Sequence, residues 1–192
     1  MVKTKTKIDD IVNVVKKLRD PKGGCPWDIG QNSKSLAKYT LEEAYEVVEA
    51  IELNKKEELK DELGDLLLQV VYHSVISEEK KQFNINDVIE SSVKKMKLRH
   101  PHIFLNNKNI KTVSDVNEFW EYQKKIDRKK KGAKSVLDGI SETLPAVTKA
   151  TKVHKRAAQE GFDWPSTEAT IKKVKEELKE LEIEIKKKNK SK

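Results

Sequence analysis

Apolar residues recur at intervals of three and four along most of the chain, and no stretch alternates singly for long enough to suggest a strand. Ile8, Ile11, Val12, Val15 and Leu18 mark a first helix over about 8–18. Asp20-Pro21-Lys22-Gly23-Gly24 breaks it, and Cys25-Pro26-Trp27-Asp28 continues the loop. A long helix follows over about 33–53, with Leu36, Leu41, Ala44, Val48 and Ile51 expected to face inward. Asn54 is the expected stop. A second long helix over about 56–81 carries Leu59, Leu63, Leu66, Leu67, Val70 and Val71. Asn86 is a candidate cap for a helix over 87–99, which ends before Arg99-His100-Pro101-His102. Four helices within 105 residues predict a bundle. Beyond Phe104 the pattern loosens: Asn106, Asn107 and Asn109 read as a loop, and a helix capped by Ser114 would hold Phe119, Trp120 and Tyr122. Helices over about 145–160, closed by Gly161, and 167–188 complete an all-α reading, a four-helix bundle followed by extra helices.

Composition agrees. The 192 residues include only seven Gly and five Pro, which suits long helices with few tight turns. One Cys excludes a disulfide framework and a thiolate zinc site and suits a reducing cytosol. No signal peptide or membrane span is expected, so the expected compartment is the cytoplasm. The net charge of +8 is uneven: residues 1–105 carry 18 basic and 18 acidic side chains, residues 106–192 carry 22 and 14. A nucleic-acid role therefore rests on the second half alone, and a basic tail is more often a solvated end than a binding surface.

Within the neutral half, residues 41–66 hold ten carboxylates against three lysines. Glu43 and Glu46 are three apart on one helix, and Glu62 and Asp65 on the next. If the chain turns at Asn54, Glu46 and Glu62 each lie eight residues from the turn, and Glu43 and Asp65 eleven. An antiparallel hairpin then sets both pairs level. Exposed surface acids are common in so charged a chain, but the matched spacing on two helices favours a built site. Clustered carboxylates need compensating charge, and a hard divalent cation that takes oxygen ligands supplies it, Mg²⁺ best of all.

Gly24-Cys25-Pro26-Trp27-Asp28, the Glu42–Glu46 and Glu62–Asp65 motifs and Arg99-His100-Pro101-His102-Ile103-Phe104 together resemble, in order and spacing, the MazG family of nucleoside triphosphate pyrophosphohydrolases. The resemblance implies a helical homodimer that hydrolyses nucleoside triphosphates to monophosphate and pyrophosphate with Mg²⁺, or Mn²⁺ in its place. It implies Glu43, Glu46, Glu62 and Asp65 as metal ligands and Glu42 as the residue that orients or deprotonates water. Lys95 and Arg99 match family positions that contact triphosphate, and Trp120 and Lys124 match positions near the nucleotide. The expected domains are a MazG-like unit over 1–125, a basic hinge over 126–135 and a helical extension over 136–192. In that extension, Gly161–Trp164 and the Lys173–Glu180 stretch resemble the start of an incomplete second MazG domain without its ExxD partner. Two other classes compete: a catalytically quiet helical scaffold, and a nucleic-acid-associated protein using the basic second half. The remaining candidates have plainer readings. Trp27 and Cys25 are expected to pack in the loop, His100 and His102 to cap or stack rather than bind zinc, and His73 to be a satisfied, partly buried histidine.

Overall fold

The computed structural model describes residues 7–105 and 110–189, so the expected Asn106–Asn109 loop lies outside the described residues. Those residues form nine helices and no strand. They are α1 (Ile8–Leu18), α2 (Pro26–Ile29), α3 (Ser33–Glu52), α4 (Lys56–Glu79), α5 (Ile85–Arg99), α6 (Pro101–Phe104), α7 (Val113–Lys130), α8 (Ala146–Ala158) and α9 (Thr167–Asn189). The fold is all-α, as the periodicity predicts. The chain divides into two compact units, residues 1–107 and 108–192. Residues 126–130 of the expected hinge are the last turn of α7, and Gly132, at φ 84°, follows it.

Helix boundaries follow local chemistry. Asn32 caps α3: its side-chain oxygen accepts from the N–H groups of Lys34 (3.0 Å) and Ser35 (3.1 Å), and Ser35 Oγ accepts from Asn32 N–H (2.9 Å). Asn54 ends that helix in the left-handed region, φ 54°, which asparagine tolerates better than most residues. Two caps differ from expectation. Asn84, not Asn86, caps α5, and Thr112, not Ser114, caps α7. The reason is shared: each true cap has an aspartate three residues on, Asp87 or Asp115, whose carboxylate accepts from the cap's own N–H. The short helices α2 and α6 arise where Pro26 and Pro101 occupy the first helical position.

In the first unit, Val12 and Val15 of α1, Leu36 of α3, Val71, Tyr72, Val75 and Ile76 of α4 and Ile85 of α5 form one buried cluster. All the α4 members lie in its second half. Lys16–Glu78 (2.9 Å) and Arg19–Glu79 (2.7 Å) pin α1 along the same stretch. The remainder of the α3–α4 hairpin extends past this core. Consequently Leu36 and Val71 are buried as expected, whereas Leu41, Val48, Ile51, Leu63, Leu67 and Val70 are exposed. Periodicity identifies an apolar face correctly, but whether anything covers it depends on where α1 ends.

The loop between α1 and α3 is anchored to α4 through buried polar groups. Asp28 is buried, and its carboxylate accepts a hydrogen bond from the Tyr72 hydroxyl. Burial, and then the Asp28 carboxylate, raise the Tyr72 phenol well above its usual range. Arg19 donates to the Asp28 carbonyl (2.5 Å) and the Gln31 carbonyl (3.1 Å) while gripping Glu79 with Nε and Nη2. Gly24 fits because a Cβ there would stand 2.3 Å from the Leu18 carbonyl oxygen. Trp27 is half exposed and meets Tyr39 edge-on at 5.9 Å, so it packs on the outside of the loop.

Removing the Tyr72 hydroxyl leaves a buried carboxylate short of a donor. Tyr72→Phe should therefore lower the unfolding free energy by about 1–3 kcal/mol, measured by denaturant titration. A change below about 0.5 kcal/mol, the usual range of a surface substitution, would remove this contact from the account.

Candidate functional site

The α3–α4 turn sets the register of the acidic residues. Asn54 and Lys55 close α3, with Lys55 N–H donating to the Ala50 carbonyl (2.9 Å), and α4 restarts at Lys56. The two helices then run alongside one another. Glu43 from α3 and Glu62 and Asp65 from α4 converge so that one carboxylate oxygen of each lies within 4.8 Å of the others. Glu43 and Glu62 are half-buried and Asp65 is exposed. Glu46, also exposed, lies near enough for its charge to act on both Glu43 and Glu62.

The electrostatics follow from that packing. Partial desolvation, then Asp65, Glu46 and Glu62, raise the Glu43 carboxyl above its ordinary value. Glu62 is raised likewise, by desolvation and then by Glu46 and Asp65. Every charged neighbour that perturbs these two is another carboxylate. Such a donor set fits a hard divalent cation: it is all oxygen, drawn from two rigid helices, and its mutual repulsion is relieved by positive charge.

The other residues singled out from the sequence are placed as follows. Glu42 is exposed on α3, next to Glu43 but outside the converging trio. Lys95 and Arg99 lie one turn apart on α5, Lys95 exposed and Arg99 half-buried at its last position. His100 ends α5, its Nδ1–H donating to the Met96 carbonyl (2.8 Å), and its ring lies 5.8 Å from that of His102. His100 therefore serves the turn into α6, with the His102 ring tilted against it. His73 shares a hydrogen bond with Thr40 Oγ1 (2.9 Å), and burial lowers its pKa. Trp120 and Lys124 are half-buried on α7, in the second unit, and Lys124 pairs with Glu121 at 2.7 Å. The α9 acids Glu176 and Glu177 both pair with Lys173, at 2.6 and 3.0 Å, as ordinary helix-surface contacts. Tyr72 is a structural residue that periodicity alone does not single out. Its only signal was a tyrosine within the buried stripe of α4, where a hydroxyl needs a partner.

Comparison with known proteins bears on the same hairpin. Residues 31–104, which contain the converging trio, Glu46 and the α5 cations, match the MazG nucleotide pyrophosphohydrolase domain. The nucleoside triphosphate pyrophosphohydrolase of Escherichia coli K12 is 41% identical over 177 residues, spanning 92% of this chain and 67% of that protein. A Thermotoga maritima protein named nucleoside triphosphate pyrophosphohydrolase/pyrophosphatase MazG is 39% identical over 173 residues, 90% of this chain and 65% of its own length. The crystal structure of a MazG-related protein from Thermotoga maritima superposes with a TM-score of 0.51 at 22% identity, covering 62% of this chain and 99% of the other, a likeness of fold. Identity at this level, sustained across two thirds of the Escherichia coli protein and including the acidic hairpin, is family membership: the chain belongs to the MazG family of nucleotide pyrophosphohydrolases.

Proposed function

We propose that this chain hydrolyses nucleoside triphosphates to the nucleoside monophosphate and pyrophosphate, with Mg²⁺, or Mn²⁺ in its place, held by Glu43, Glu46, Glu62 and Asp65. The observation that carries the reading is the convergence of Glu43, Glu62 and Asp65 within 4.8 Å across the hairpin. When bound, a divalent cation neutralises phosphate charge and makes a coordinated water more acidic. The protein's part is to hold the ligands on two helices and to supply the remaining groups. Glu46 adds its negative charge beside Glu43 and Glu62, and so to the cluster's demand for a cation. Glu42, solvent-facing on the next position of α3, orients water or takes its proton. Lys95 and Arg99 hold the phosphates, Arg99 with two parallel donors where geometry allows. Trp120 and Lys124 contact the nucleotide. The working form is a homodimer in the cytoplasm, a reading supported by the uncovered apolar residues Leu41, Val48, Ile51, Leu63 and Leu67 on the hairpin. Among the described residues no helix is long and apolar enough to cross a membrane.

Two experiments test this reading. Glu43→Gln, Glu46→Gln, Glu62→Gln and Asp65→Asn should each cut pyrophosphate release at limiting Mg²⁺ by roughly tenfold or more, with helical content unchanged by circular dichroism. Near-normal turnover in two or more of them removes the metal assignment. Steady-state kinetics on Arg99→Ala and Lys95→Ala should give a higher KM for nucleotide and lower kcat, and Arg99→Lys should restore little, because a point charge does not reproduce the guanidinium fork. Unchanged constants in both alanine variants place this face of α5 away from the substrate.

A further inference from the structure

Gln69 on α4 is buried, at 7% exposure, and its side-chain oxygen Oε1 meets no hydrogen-bond donor among the described residues. A buried acceptor without a donor is costly, and native proteins carry few of them. Its place in the fold is set by the line Glu62, Leu66, Gln69 and His73, which recur at intervals of four, three and four along α4. Both ends of that line meet α3: Glu62 converges with Glu43, and His73 bonds Thr40 across the hairpin at 2.9 Å. Gln69 therefore lies inside the α3–α4 interface, one turn from Asp65 and between those two contacts. Thr40 and Glu43 stand one turn apart on the facing helix.

Neither neighbour supplies a donor. The Thr40 hydroxyl donates to the Leu36 carbonyl (3.3 Å), which leaves it accepting from His73 Nε2–H. On the other side the cluster presents carboxylate oxygens, which accept. Two acceptors that face one another are joined by a water, whose two hydrogens serve one each. Four residues of helix rise about 6 Å, which two hydrogen bonds of about 2.8 Å span. We propose that Gln69 is a positioning residue of the carboxylate cluster: through one buried water, it holds the Glu43 carboxylate in the orientation that receives the cation. Glu43 is half-buried and belongs to the helix facing Gln69, whereas Asp65 is exposed. The cation rests on the functional reading above; the buried oxygen without a donor does not.

The probe is Mn²⁺ alone, titrated into the full chain with the free ion counted by electron paramagnetic resonance, so that no turnover enters the measurement. Gln69→Met keeps the bulk without the acceptor and should weaken Mn²⁺ about tenfold, the lower end of what hydrogen-bond partners of metal ligands are worth. Because Gln69 acts through Glu43, the same change in a Glu43→Gln chain should cost about twofold or less. In a Glu46→Gln chain it should cost the full factor of about ten. Helical content is followed by circular dichroism. Should the methionine variant lose it, Gln69→Asn, which keeps the amide but draws it back by one methylene, takes its place in the same comparison. Unchanged Mn²⁺ affinity in the otherwise wild-type chain overturns the proposal. So does an equal loss in the Glu43→Gln and Glu46→Gln chains, which marks a general loosening of the hairpin. A wild-type chain that binds no Mn²⁺ removes the cation site and the role of Gln69 with it. A wild type that binds, matched by its Gln69 variant, removes the role of Gln69 alone.

Discussion

Carboxylates on two antiparallel helices repel one another, and the α3–α4 register forces them to the same level. Everything distinctive about this protein's first unit follows from how that repulsion is tolerated. The residues sit toward the outer half of the hairpin, beyond the buried cluster, where solvent offsets part of the cost. They are nevertheless desolvated enough that Glu43 and Glu62 hold protons more tightly than free carboxyls do.

Support for the hairpin comes from the opposite half of α4. There the apolar cluster with α1, α3 and the start of α5 is continuous, and the Arg19–Glu79 and Asp28–Tyr72 contacts tie the intervening loop to the same helix. Helix α4 thus has two halves with separate tasks: one is a core element, the other a platform. Among the described residues the platform's apolar side chains Leu41, Val48, Ile51, Leu63 and Leu67 are exposed.

The sequence disclosed the elements well because helical period is a local property. The bounds of α1 match the apolar pattern, and Asn54 ends α3 because its own backbone preference suits the turn. The convergence of Glu43, Glu62 and Asp65 was legible for a related reason: equal distances from one turn translate into similar heights on two helices. What stayed hidden depends on partners distant in the chain. Periodicity could not tell that Leu41, Val48 and Ile51 would lie uncovered, since that depends on the length of α1. Nor could it pair Asp28 with Tyr72, which are 44 positions apart. The caps Asn84 and Thr112, in place of the expected Asn86 and Ser114, are marked locally by the aspartate three residues on.

The most direct test of the central claim is thermal melting of the wild-type chain and Glu43→Gln, each with EDTA and with Mg²⁺ at neutral pH. A carboxyl whose pKa is raised on folding favours the folded state in acid, and that advantage is lost as pH rises from the ordinary value of 4.5 through the raised one. At neutral pH in EDTA the variant, relieved of one charge, should therefore melt above the wild type, and the gap should close below pH 4.5. Mg²⁺ should reverse the order by raising the wild-type melting temperature and leaving the variant nearly unmoved. A wild type that already melts higher in EDTA, or equal shifts with Mg²⁺ in both proteins, would contradict the assignment of this cluster as a repulsive site completed by a cation.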